Sequence, residues 1–315
     1  GYNHGIVDED LMNGAVVMIL FCCVVASFVT ERAALRIRMR LTESSLDRDD
    51  LGKHEFARQV VSVFNPVTSG GLMRMALAMR SARNQNPVTA LFVRTDDDRE
   101  AVVAGREALE AAVASGEDVE VEVQGVERYD ISAVSGIKNV AKEQDATEIM
   151  LGFHRKSNIV DTFYGSMAEQ LIDSCHKMGL MSRCFIPVET VTAIYVVVPR
   201  KAEYETGFHL WVSRVAMLGA NIEAKVIFVC HPSSREFIET VIAEDKVEVD
   251  RAYEPVYAFD DFILLSGQIE ADDLLVVIGA RKGSISAGSE LSALPGFLQR
   301  HFASSNLMVI YPRQF

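Results

Sequence analysis

Short apolar runs alternate with stretches of helical spacing from residue 56 to residue 188. VVSVF (60–64) and VTALFV (88–93) are short and β-branched, and they read as buried strands. GLMRMALAMRSAR (71–83) and REAVVAGREALEAAVASG (99–116) carry the 3.6-residue period of helices. VEVEVQ (119–124) alternates residue by residue, as a half-buried strand does, and SAVSGIKNVAKEQDA (132–146) returns to helical spacing. TEIMLGF (147–153) predicts a strand, GSMAEQLIDSCHKMG (165–179) a helix and SRCFIPV (182–188) a fifth strand. Elements of these lengths in alternation predict a parallel sheet with helices on both faces.

The pattern then starts again. TAIYVVV (192–198), AKVIFVC (224–230), KVEVDRAY (246–253), DLLVVIGA (273–280) and NLMVIYP (306–312) predict strands. ETGFHLWVSRVAMLGA (205–220), SSREFIETVIAE (233–244) and GFLQRHFA (296–303) predict helices between them, with AFDDFILLSGQI (258–269) before the fourth strand. The chain therefore reads as α/β, with two tandem doubly wound, Rossmann-like domains of about 125 residues each, over 56–190 and 191–315. The ends FIPV (185–188) and LMVIYP (307–312) are apolar enough to pair, either between two copies or between the two repeats of one chain.

The head differs. LMNGAVVMILFCCVVASFV (11–29) carries no charge and is long enough for one pass through a bilayer. Asp8, Glu9 and Asp10 precede it, and Arg32, Arg36, Arg38 and Arg40 follow. These flanks are wrong for a secretory signal and place the arginine end in the cytoplasm. The expectation is a membrane helix with its basic end over 1–40, a polar linker over 41–55, and a cytoplasmic remainder. A helix buried in a core or a dimer is the other reading of 11–29. Opening on Gly rather than Met, the chain reads as a piece of something longer.

Charge and chemistry narrow the classes. A formal charge of -13 over 315 residues argues against a nucleic-acid surface. Cys22, Cys23, Cys175, Cys184 and Cys230 show no CxxC or Cys/His metal spacing, so they read as small buried hydrophobes in a reducing compartment. No metal site is expected. No GxxxxGK[ST] loop, Ser-His-Asp arrangement or carboxylate cluster for magnesium is present, and the expectation is a protein that is not an enzyme. Asp161 and Asp173 read as a loop residue and a helix-face residue.

In an open α/β sheet a ligand binds beyond the carboxyl ends of the strands, where the strand order reverses. That places FNPVTSGGL (64–72) and LGFHRKSNIVDTFYGSMAEQLIDS (151–174) on the two sides of a crevice. Gly152, two residues, Arg155, nine residues, then Gly165-Ser166 resembles the nucleotide loop of universal stress protein domains, whose pattern is Gly, two residues, Gly, nine residues, Gly, Ser or Thr. The resemblance covers 56–188 in element order and 192–315 more loosely. It implies a nucleotide site at Asn65, Thr68, Gly152, Arg155, Gly165 and Ser166, with the Gly-Ser pair at a helix N-terminus that favours an anion. ATP, AMP or a cyclic dinucleotide would be the ligand.

Three departures stand out. Arg155 replaces the second glycine, and can be read as a phosphate ligand, with His154 and Lys156 beside it, or as a plug paired with a carboxylate. Asn65 replaces the acidic residue usual after the first strand. In the second repeat Gly279, Arg281 and Lys282 are followed nine residues on by Ser292 and Ala293, while Gly283-Ser284 lies out of register. A second, degenerate anion site at Gly279, Arg281, Lys282 and Ser284 is thus a weaker expectation.

An apolar helix ending in VTERAALRIRMR before two such domains resembles the carboxyl-terminal part of a bacterial cation/proton antiporter of the second monovalent-cation family. That resemblance implies a regulatory tail attached to the membrane part of the antiporter in the inner membrane, with a homodimer as its assembly. The helices that would coordinate the ion are absent from this sequence, so the chain alone transports nothing. A ligand-free dimerisation scaffold and a weakly hydrolytic nucleotide-binding protein are the alternatives.

Overall fold

The computed structural model describes residues 13–26, 30, 57–95, 98–153, 166–257, 265, 267–288 and 294–314. The chain divides into two compact units, Gly1–Leu51 and Gly52–Phe315. In the first, helix α1 covers 13–26, and its apolar side chains from Val16 to Phe21 are exposed. At about 1.5 Å per residue it spans about 20 Å. No helix among the described residues is long and apolar enough to cross a membrane. The ends of the expected span at 11–29, the arginines after it and the linker over 41–55 lie outside the described residues.

The second unit is built on one sheet. β1 (Gln59–Ser62), β2 (Val88–Arg94), β3 (Val123–Tyr129), β4 (Glu148–Gly152) and β5 (Met178–Arg183) come from the first half. Helices α2 (Pro66–Ala78), α3 (Arg99–Glu117), α4 (Ala133–Glu143) and α5 (Ser166–Ser174) follow the first four strands in turn. The second half repeats the plan with β6 (Ala193–Val197), α6 (Phe208–Asn221), β7 (Lys225–Cys230), α7 (Pro232–Asp245), β8 (Arg251–Pro255), β9 (Leu274–Ile278), α8 (Leu294–His301) and β10 (Asn306–Tyr311). The strand order is β3-β2-β1-β4-β5-β10-β9-β6-β7-β8. Each half is parallel, and the halves meet antiparallel, from Leu307 opposite Arg183 to Tyr311 opposite Gly179. The apolar strand ends do pair within the chain, but through 178–183 rather than FIPV.

Local chemistry fixes the element limits. Asn65 caps α2, its side chain accepting from the Val67 amide at 3.0 Å, and Pro66 occupies the first turn, where no N–H is needed. The helix therefore begins five residues before its apolar spacing does, and most of the loop expected over 64–72 is helical. Asp118 to Glu120 form a turn with Glu120 in the left-handed region at φ 54°, so the alternating VEVEVQ opens in a turn and the strand starts only at Val123. Lys246 likewise ends α7 at φ 53°, which moves β8 downstream of the expected 246–253. MGLMSR makes β5 despite weak strand propensity, because β4 and β10 bind it on both sides.

Strands β9 and β10, flanked on both sides, are almost wholly buried, as parallel strands with both faces covered must be. Edge strands β3 and β8 are half-exposed. Helices α2 and α6 pack across the join, and the Asn221 amide donates to Ala78 O and Arg80 O, both at 2.8 Å. Of the cysteines, Cys230 is buried; Cys175 and Cys184 are half-buried, while Cys22 and Cys23 are exposed. The uniformly buried set expected from sequence is corrected: the α1 cysteines share that helix's exposure.

Candidate functional site

The strand order reverses between β1 and β4 in the first half and between β6 and β9 in the second. These are the two crevices where a doubly wound sheet takes ligands. In the first, Val63 to Asn65 follow β1, while Gly152 ends β4 and Phe153 follows it. The Asn65 carbonyl accepts from the amides of Thr68 (3.1 Å) and Ser69 (3.0 Å) and from Ser69 Oγ (2.7 Å). Asn65 is thus committed to starting α2. Thr68, one turn in, has an exposed side chain. Phe64 is 49 % exposed and Val67 88 % exposed at the same mouth. Neither was among the residues expected to form the site; apolar residues inside a turn-forming stretch were the available signal.

Gly152 is the last residue of β4. Among the described residues a methyl group there would meet only Leu72 Cδ2 at 3.6 Å, an ordinary contact. The neighbouring position on β5 is Ser182, whose carbonyl accepts from the Phe153 amide at 3.1 Å. Ser166 is the first residue of α5. Arg155 and Gly165, with His154, Lys156 and Asp161, lie outside the described residues.

In the second half the space beside the matching glycine is taken. A methyl group on Gly279 would fall 2.8–3.1 Å from the Tyr311 ring. Register explains the contrast: Tyr311 on β10 takes the place that Ser182 has on β5. Ser286 N donates to the Glu205 carboxylate at 2.7 Å, which ties the loop after β9 to the chain entering α6.

Arg281, expected to face an anion, is 6 % exposed and points into the protein. Its guanidinium donates to Pro312 O (3.0 Å), Cys175 O (2.6 Å), Lys177 O (2.5 Å) and Ile172 O. Burial holds its pKa below the ordinary arginine range, with Cys175, Tyr311 and Asp173 opposing that shift. Four carbonyls have replaced the water that an anion would otherwise displace. Lys282 pairs with Asp173 of α5 at 2.8 Å, a hydrogen bond that raises the ammonium pKa at an exposed site. Gly283 turns the chain at φ 81°, and Ser284 Oγ is out of solvent with no hydrogen-bond partner among the described residues. The structure therefore brings Gly279, Arg281, Lys282 and Ser284 onto one loop, but gives the first three to packing and to α5.

Among the described residues no three His, Cys, Asp or Glu side chains are grouped to hold a metal ion. A depression at the outer edge of β8 is lined by Arg235, Glu239, Arg251 and Tyr253, with the Arg235 guanidinium 4.7 Å from the centre of the Tyr253 ring. It lies away from both crevices.

Comparison with known proteins agrees with the architecture. Residues 59–183 match the Universal stress protein family. A protein of unknown function from Pseudomonas aeruginosa PAO1 superposes with a TM-score of 0.56 at 15% identity, covering 82% of this chain and 94% of that one. The cytoplasmic domain of a prokaryotic cation chloride cotransporter superposes with a TM-score of 0.54 at 11% identity, covering 81% and 95%. A universal stress protein from Archaeoglobus fulgidus DSM 4304 gives 0.51 at 12% identity, covering 82% and 98%. At these identities the likeness is one of fold. No curated protein matches the chain. In its 3-2-1-4-5 strand order and its matching residues, the stretch 59–183 is similar to a universal stress protein domain.

Proposed function

We propose that this chain is a cytoplasmic regulatory region of a membrane cation transporter, a cation/proton antiporter on the sequence resemblance, and that its first half binds an adenine nucleotide or a cyclic dinucleotide. The observation that carries the reading is the inequality of the two crevices. Among the described residues only Leu72 comes near a side chain built at Gly152, where the family's loop would approach a phosphate, while Tyr311 occupies the matching space at Gly279. One half is open to a ligand and the other serves as its partner. The fold shared with the cytoplasmic domain of a cation chloride cotransporter supports a tail that acts on a membrane protein.

On this reading the chain binds rather than catalyses. Regulation requires the ligand to prefer one of two arrangements, and a tenfold preference amounts to about 1.4 kcal/mol. The residues after Arg40 would lie in the cytoplasm and act on the membrane part of the transporter. Two copies would pair through a surface other than β5 and β10, which are already joined within the chain.

The test is to denature purified protein and identify what it releases by mass spectrometry. About one adenine nucleotide or cyclic dinucleotide per chain is expected. An empty protein whose melting temperature does not move with ATP, AMP or cyclic dinucleotides would replace this reading with the ligand-free scaffold.

A further inference from the structure

Helix α5 begins at the first half's candidate site and ends in the grip of the second half. Its buried side chains, Leu171 and Ile172, lie near its C-terminal end, while Met167 to Gln170 are half-buried or exposed. A helix this short is marginal by itself, because nucleation is costly and its last carbonyls lack partners. Arg281 supplies what is missing. It binds Ile172 O and Cys175 O at the helix end, then Lys177 O just before β5, and holds them to Pro312 O of the second half. Lys282 adds a pair with Asp173 on the same helix. Both cations stand at the negative end of the helix dipole.

The exchange is mutual but unequal. Arg183, at the end of β5, donates to Phe302 O (2.9 Å) and Ser305 O (3.3 Å), just past α8 in the second half. Arg183 thus reaches carbonyls beyond the matching helix, in an environment that also includes the Phe185 ring. Arg281 is the more completely enclosed of the two.

We propose that Arg281 is a positioning residue for the first half's anion site: through it the second half fixes α5, and so the place of Ser166 at the helix start. The second half is then a structural subunit of the first half's site. This rests on the reading that the first crevice binds a nucleotide, and the experiment separates the two.

The full chain is compared with Arg281→Gln and Arg281→Lys by hydrogen exchange and by titration with ATP and AMP. Arg281→Gln should speed amide exchange over 170–177 at least tenfold, leave β1 and β2 unchanged, and weaken nucleotide binding tenfold or more. Arg281→Lys, with a charge but no planar fork, should fall between the two. Unchanged exchange over 170–177 overturns the proposal, and so does faster exchange there with unchanged affinity. If the unaltered chain binds no nucleotide, the ligand reading and this role for Arg281 both fail, while the exchange data still show whether the clamp holds α5. Should Arg281→Gln not fold, Lys282→Ala removes only the exposed pair with Asp173. It should weaken binding about twofold, and unchanged affinity and exchange in that variant count against the proposal.

Discussion

Glu148 of β4 and Arg214 of α6 meet at 2.5 Å across the join between the halves, with side chains 1 % and 2 % exposed. The other carboxylate oxygen accepts from Gln59 Nε2 at 3.0 Å, so the anion has no unpaired side. An ion pair this deep is held by its geometry, since each charge has lost its water.

Removing one member should therefore be costly. Glu148→Ala or Arg214→Ala is expected to lower stability by about 3–5 kcal/mol, because an uncompensated charge remains buried. Replacing both by methionine should recover most of that loss. Urea unfolding of the four proteins measures it; a single variant within about 0.5 kcal/mol of the parent would show that the pair is not buried as described.

The two motif glycines should respond differently to the same substitution. Gly152→Ala meets Leu72 at 3.6 Å and should change stability by less than about 0.5 kcal/mol. Gly279→Ala drives a methyl into the Tyr311 ring at 2.8–3.1 Å and should cost about 1–3 kcal/mol. Tyr311→Ser in the same chain should make Gly279→Ala nearly neutral. Thermal unfolding gives the ranking, and equal costs at 152 and 279 would remove the basis for an open and a closed crevice.

Alkaline stability should carry the signature of Cys230. Burial, aided by the Glu203 carboxylate, pushes its thiol up to about 11 from an ordinary 9.0. Between these values the unfolded chain loses the proton and the folded one keeps it. Unfolding therefore becomes easier as pH rises, by up to about 1.4 kcal/mol per pH unit from this group. The contribution is fully present below pH 9. Cys230→Ala should flatten the profile between pH 9 and 11 relative to the parent, and parallel profiles would refute the shift.

Much of this fold is legible in the sequence, and the reasons are local. LLVVI (274–278) can only be a buried strand, and Asn65-Pro66 is a helix start with a mechanism. MGLMSR is illegible because its strand character comes from β4 and β10 rather than from its residues. The turn at Glu120 hides inside an alternating run because a left-handed residue leaves no mark in a period-two pattern. At the candidate site the glycines could be found from spacing, but not their different fates. Those depend on Ser182 against Tyr311, aligned only by the sheet. Arg281 looked like an anion ligand because its acceptors are backbone carbonyls about a hundred residues away, and backbone leaves no trace in residue types.

The antiparallel join also sets a timetable for synthesis. β5 is complete when residue 183 has emerged, yet the strand that covers its outer edge is 306–311. At about 5–20 residues per second, that edge waits roughly 6–25 s with its hydrogen-bonding groups unpaired. Throughout this interval the nascent first half presents an open strand to any other extended chain, its own copies included. Slow translation between the halves, or truncation before residue 306, would lengthen the exposure. The cell's burden with this protein would then be the ordering of its synthesis more than the stability of its product.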